Sequence, residues 1–147
     1  MSLKEQLSLD LKQSMKDKNV ISKSTIIMVR AAILQYEKDN KVELTDEDII
    51  AIIAKQVKQR KEVLNDFKKA DRKDLVDQNL QEIQILQQYL PQQLNEEEIK
   101  TIVIDAIREV GASSVKDMGK VMTTVMPKVK GRADGGLVNK IVKENLR

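Results

Sequence analysis

Apolar residues recur at three- and four-residue intervals along almost the whole chain, a helical rather than an alternating spacing, so the pattern predicts helices and no sheet. Seven segments stand out. The first follows Ser2, which stands three residues before Glu5 in a capping arrangement, and carries Leu3, Leu7, Leu11 and Met15 on one stripe. The second starts near Ser22 or Ser24 and runs to about Glu37. From Thr25 to Tyr36 its single charge is Arg30, with apolar residues on all sides, the pattern of a central helix. Thr45, with Asp48 in the box position, starts a third helix reaching about Lys68. Asp71 opens a fourth, which carries Leu75, Leu80, Ile83, Leu86 and Leu90 and stops at Pro91.

Asn95 and Glu98 give the next start signal immediately after that proline, so the chain divides into an N-terminal part, residues 1–93, and a C-terminal part, residues 95–147. The fifth helix carries Ile99, Ile102, Val103, Ala106, Ile107 and Val110 and ends at Gly111. Ser114 with Asp117 caps the sixth, whose Met118, Met122, Val125 and Met126 read as core, and Pro127 limits it. After a loop from Lys128, the seventh runs from about Gly135 to Asn145 on Leu137, Val138, Ile141 and Val142. The expected architecture is all-α, four helices followed by three.

Composition changes this picture mainly by exclusion. The 147 residues include no Cys, no His and no Trp, and only Tyr36, Phe67 and Tyr89 are aromatic. Disulfides, thiolate or imidazole metal sites, a Cys nucleophile and a His general base are all ruled out. Neither a catalytic constellation nor a cofactor loop is visible: the sequence has no Gly-x-x-x-x-Gly-Lys-Ser/Thr and no Gly-x-Gly-x-x-Gly after a strand. A base-stacking RNA platform is equally out of reach with three aromatics. Apolar runs fall far short of the ~20 residues a membrane span needs. The first 30 residues carry charges throughout, and the expected location is the cytoplasm.

The net charge of +3 hides a pattern. Residues 55–73 hold eight Lys or Arg against three acids, residues 95–111 hold two against five, and residues 116–147 again hold eight against three. Two basic regions flank an acidic one. Within the first, Arg60 shares a helical face with Ile53, Val57, Leu64 and Phe67, where an aliphatic side chain is expected. Either it pairs with Glu82 on the apolar flank of the fourth helix, or it lays its stem on the core with its head in water. Arg30 raises the same question, with a structural role expected.

Within the second basic region, Lys128, Lys130 and Arg132 precede a helix start at Gly135 and Gly136. Such a start can hold a phosphate on its free amides. The plainer reading is a helix-to-helix turn, with Gly131 left-handed, Asp134 as cap and the lysines solvated. The acids Asp46, Glu47 and Asp48, and Glu96, Glu97 and Glu98, sit in first helical turns, where they complement the helix dipole.

The string Asp117-Met118-Gly119-Lys120-Val121-Met122, followed by Lys130-Gly131-Arg132-Ala133-Asp134-Gly135, resembles the domain shared by YqeY proteins and the tail of GatB. GatB is the tRNA-binding subunit of the bacterial glutamyl-tRNA(Gln)/aspartyl-tRNA(Asn) amidotransferase. The N-terminal part is similar to YqeY proteins in Ser24-Thr25 through Arg30, Lys58-Gln59-Arg60-Lys61, Arg72-Lys73-Asp74-Leu75 and Tyr89-Leu90-Pro91.

The resemblance implies two helical subdomains and a binding role near tRNA, without the catalytic parts of the amidotransferase. On that reading structured RNA, tRNA foremost, contacts Lys128, Lys130, Arg132, Lys140 and Lys143, with Lys58 and Lys61 as a second contact. Gly119, Gly131, Asp134, Arg30, Arg60 and Glu82 keep the structure. A translation or tRNA-amidation enzyme is the implied protein partner. The alternatives are a carbon–nitrogen ligase activity with glutamine as amido donor, or an adaptor that binds a larger enzyme through its helical faces.

Overall fold

A computed structural model describes residues 1–146. They form seven α-helices and no strand: α1 Leu3–Lys16, α2 Val20–Asn40, α3 Asp46–Lys69, α4 Lys73–Gln87, α5 Glu96–Val110, α6 Met118–Val129 and α7 Gly135–Asn145, with a 3-10 turn at Val115–Asp117 before α6. The chain divides into two compact units, Met1–Leu90 and a second from Pro91 onward.

Local chemistry sets the ends of most helices. Thr45 with Asp48 and Asn95 with Glu98 form complete capping boxes at α3 and α5, and Gly111 ends α5 in the left-handed conformation, φ +65°. Four boundaries differ from the periodicity. Helix α2 starts at Val20, earlier than Ser22 or Ser24, because the Asn19 carboxamide accepts the Ser22 N–H at 3.0 Å. Asp71 does not open α4: it takes φ +56° in the turn, and Arg72 occupies the cap position. At its other end α4 stops at Gln87, and Tyr89 and Leu90 close short turns before Pro91, which disfavours helical geometry in the residue preceding it. Pro127 does not limit α6, which runs on to Val129. Proline lacks an N–H and crowds the carbonyl four residues earlier, and this one lies in the last turn, on the exposed side of the helix, where that cost is least.

The first unit buries Leu7, Val29, Ile49, Ile53 and Leu86 completely. Helix α2 contacts α1, α3 and α4, but it is not buried all round: Val20, Ile27, Met28 and Leu34 are exposed. On α4 the inward position falls on Asn79, only 3% exposed, while Leu80 faces out. The Asn79 Oδ1 and Gln56 Oε1 atoms are buried without a partner.

Between α3 and α4, Arg60 Nε donates to Glu82 Oε2 at 3.0 Å. Its other nitrogens donate to the Gln56 carbonyl at 3.2 Å and to Met28 Sδ at 3.7 Å, so one guanidinium ties three helices. At the far side of the unit Glu37 accepts from Lys4 Nζ and, at 2.8 Å, from the Leu44 N–H. Those two donors hold its carboxyl below the usual glutamate range, against a smaller opposing effect of burial. The Tyr89 hydroxyl donates to Asp10 Oδ2, and burial first, then that carboxylate, push the phenol upward.

The second unit packs Ile99, Val103 and Ala106 of α5 against Val121, Val125 and Val129 of α6 and Val138 and Val142 of α7. Met118 and Met122 pack on this core, while Met126 is exposed.

Two measurements check these ties. Arg60→Ala and Glu82→Ala should each lower unfolding stability by about 3 kcal/mol in urea titration, well above the effect of losing a surface pair, because each strands a largely buried charge. For Glu37, whose folded pKa is depressed, the stabilisation is present above its ordinary value of 4.5 and is lost as pH falls through the lower folded value. The melting-temperature gap between wild type and Glu37→Gln should therefore be widest near neutrality and close on acidification.

Candidate nucleic-acid interface

Helix α7 turns Val138, Ile141 and Val142 inward, so Gly136, Lys140 and Lys143, spaced four and three apart, share its exposed face. Together with Val115, Asn139 and Glu144 they line an open depression of about 450 Å³. Val115 is carried there by the turn before α6, which the Asp117 carboxylate holds by accepting the Ser113 N–H at 2.9 Å and the Ser114 N–H at 3.4 Å. Those amides, and then the charge of Lys120, keep the Asp117 carboxyl below the usual aspartate range. The same α7 borders a second depression, about 330 Å³, with Glu96, Glu97 and Glu144 in its wall against one cation, Lys100. A polyanion approaching α7 is thereby repelled from one side and attracted on the other.

The cations before α7 are used differently. Arg132 Nε donates to the Gln92 carbonyl at 3.3 Å and its Nη1 to the Lys128 carbonyl at 3.4 Å. The Arg132 carbonyl accepts the Leu94 N–H at 2.8 Å, and the Gly131 carbonyl accepts Gln93 Nε2 at 2.9 Å. The loop is therefore latched to residues 92–94, with Gly131 at φ +73° making the turn. Lys128 Nζ lies 3.6 Å from Glu109, a weak surface pair, and Lys130 is exposed. Asp134 holds the cap position of α7 without a side-chain bond to the free amides there, and its carboxylate lies over Gly136. The exposed cations of this part of the unit are Lys130 and the Lys140 and Lys143 face.

In the first unit the basic run of residues 55–73 divides in the same way. Arg60 points inward, and Arg72 is held by Asp74 through two hydrogen bonds of 3.1 and 2.9 Å. Lys58 and Lys61 are exposed on α3. Arg30 is half-buried with no ion pair among the described residues. Gly119 stands exposed in the first turn of α6, and a Cβ built there meets nothing within 4 Å. Packing gives no reason for a glycine at that position.

The model of the Yqey-like protein family matches residues 4–146. The chain belongs to this family. Over 141 residues, 94% of this chain and 77% of the relative, it is 33% identical to a protein of Pyrenophora tritici-repentis named "Altered inheritance of mitochondria protein 41, mitochondrial". A protein of the same name from Vanderwaltozyma polyspora is 31% identical over 76% of this chain and 64% of its own length. An uncharacterized protein of Schizosaccharomyces pombe is 34% identical over 56% of this chain and 67% of its own length. These names overturn the expectation of a cytoplasmic location: Yqey-like relatives spanning most of this chain are named mitochondrial proteins. No helix among the described residues is long and apolar enough to cross a membrane.

Glycine substitutions separate the conformational from the unconstrained positions. Gly119→Ala should leave the melting temperature unchanged or raise stability by about 0.5–1 kcal/mol, since alanine fits the helix and restricts the unfolded chain. Gly131→Ala, at a left-handed position, should lower it by about 1–2 kcal/mol. Thermal unfolding of the two variants beside wild type is the check.

Proposed function

We propose that this Yqey-like protein binds structured RNA, tRNA foremost, through the second unit, without catalysing a reaction on it. The observation that carries the reading is the exposed pair Lys140 and Lys143 beside Gly136 and Asn139, bordering a depression open to a phosphate backbone. Glycine at 119 leaves bare backbone on the surface, which lets a bulky ligand come close. With so few aromatics, recognition rests on phosphate charge and on the shape of a folded RNA. The resemblance of the second unit to the tail of GatB, a tRNA-binding subunit, supports the same choice of ligand.

The contact set is narrower than the list of basic residues. Arg132 is engaged by backbone carbonyls, and Lys128 has Glu109 beside it at 3.6 Å, so Lys130, Lys140 and Lys143 are the principal cations of the second unit; the exposed Lys58 and Lys61 of α3 form a separate contact on the first.

Filter binding of the full chain to tRNA tests this, with mitochondrial tRNA among the probes because relatives are named mitochondrial proteins. If about four phosphates are engaged, log affinity should fall against log salt with a slope of about −3 to −4. Lys140→Gln and Lys143→Gln should each reduce that slope by about 1 and leave the melting temperature unchanged. Arg132→Gln should lower the melting temperature. Affinity that does not respond to salt, or is unchanged in the Lys140 and Lys143 variants, overturns the proposal.

A further inference from the structure

Helix α2 has an outer face that the fold leaves open. Val20, Ser24, Ile27, Ala31, Leu34 and Lys38 succeed one another at intervals of four, three, four, three and four residues, and all six are exposed, Val20 at 74% and Leu34 at 64%. That interval is the seam of a two-helix contact, two positions in every seven. Large and small side chains alternate along it, Val20, Ile27 and Leu34 against Ser24 and Ala31. The Ser24 hydroxyl is turned back on its own helix, donating to the Ile21 carbonyl at 3.2 Å, so that position presents a small, satisfied surface. Small residues between large ones give a second helix room to come close.

The edges of the seam select the partner. On one side lie Lys23 and Arg30, neither with a carboxylate partner among the described residues, and next in the row comes Glu37, already held by Lys4 and the Leu44 N–H. Met28 and Gln35 occupy the other side, Met28 with its sulfur on Arg60. The edge open to a partner is therefore cationic.

We infer that the outer face of α2 is a docking seam for an amphipathic helix of a partner protein that carries acidic residues beside its apolar stripe. A second copy of this chain fits less well: antiparallel pairing centred on Ala31 sets Arg30 against its own copy and brings Lys23 only to a Glu37 already held by Lys4 and the Leu44 N–H, and parallel pairing offers no acid to Lys23 or Arg30.

The test uses the full chain and two labelled synthetic peptides of about three heptads, with Leu at both seam positions and either Glu or Lys at the flanking ones. Fluorescence anisotropy should show the Glu peptide binding about tenfold or more tighter than the Lys peptide. Ile27→Ser with Leu34→Ser should weaken it about tenfold with the circular dichroism spectrum unchanged, as both side chains are exposed. Lys23→Glu, at a fully exposed position, should weaken the Glu peptide and strengthen the Lys peptide. Any of these results overturns the inference: equal affinity for the two peptides; affinity unaffected by the Ile27 and Leu34 changes; or sedimentation showing a dimer that Leu34→Ser dissociates. Loss of binding to phosphatidylglycerol vesicles in the seam variants, with peptide affinity intact, overturns it as well.

Discussion

A single guanidinium organises the first unit. Arg60 occupies a register of α3 that its neighbours Ile53 and Val57 mark as interior, and burying a charge there is tolerable only because Glu82 of α4 meets it at 3.0 Å. The remaining nitrogens fix the geometry further, one on the Gln56 carbonyl and one on the Met28 sulfur of α2. Apolar contacts along α3 and α4 are interchangeable aliphatic surfaces that would allow sliding by a helical turn. An ion pair at one depth does not, so it sets the register in which Ile53, Ile83 and Leu86 pack. Asn79 and the Gln56 oxygen, unpartnered among the described residues, lie on the same two helices, so polar groups gather between α3 and α4, while α1 and α2 bury Ser14 and Thr25.

The second unit is built on β-branched packing, Val and Ile from α5, α6 and α7, and its use of Arg132 is different in kind. Arg132 pairs with no carboxylate among the described residues. It collects backbone carbonyls from Lys128 and Gln92, at the end of one helix and in the segment that precedes another. Orphan carbonyls at a helix end need donors, and a guanidinium supplies several from one side chain.

What could be read in the chain followed the range of the interactions involved. The boxes at Thr45 and Asn95, and the end of α5 at Gly111, are contained within a few residues and were legible. So was the anomaly of an arginine on an aliphatic stripe. The face of α2 was misjudged because apolar side chains all round a helix also describe one whose outer stripe is left uncovered, and only the placement of α1, α3 and α4 separates the two. The inward position of Asn79 in place of Leu80 depends on how α4 is rotated against its neighbours, which periodicity averages over. Arg132 looked like one cation in a basic run. Its carbonyl partner at Gln92 comes from some 40 positions earlier, beyond the reach of any local pattern.

That long-range latch bears on how such proteins are assembled. By binding residues 92–94 to the loop at 131–132, the second unit ties up its own entering chain and satisfies those backbone groups internally. A fold that closes its own seam in this way is portable: it can be appended to an unrelated catalytic chain without asking the host for complementary packing. The entering strap would have to travel with it, so the transferable piece begins before Asn95, at the proline.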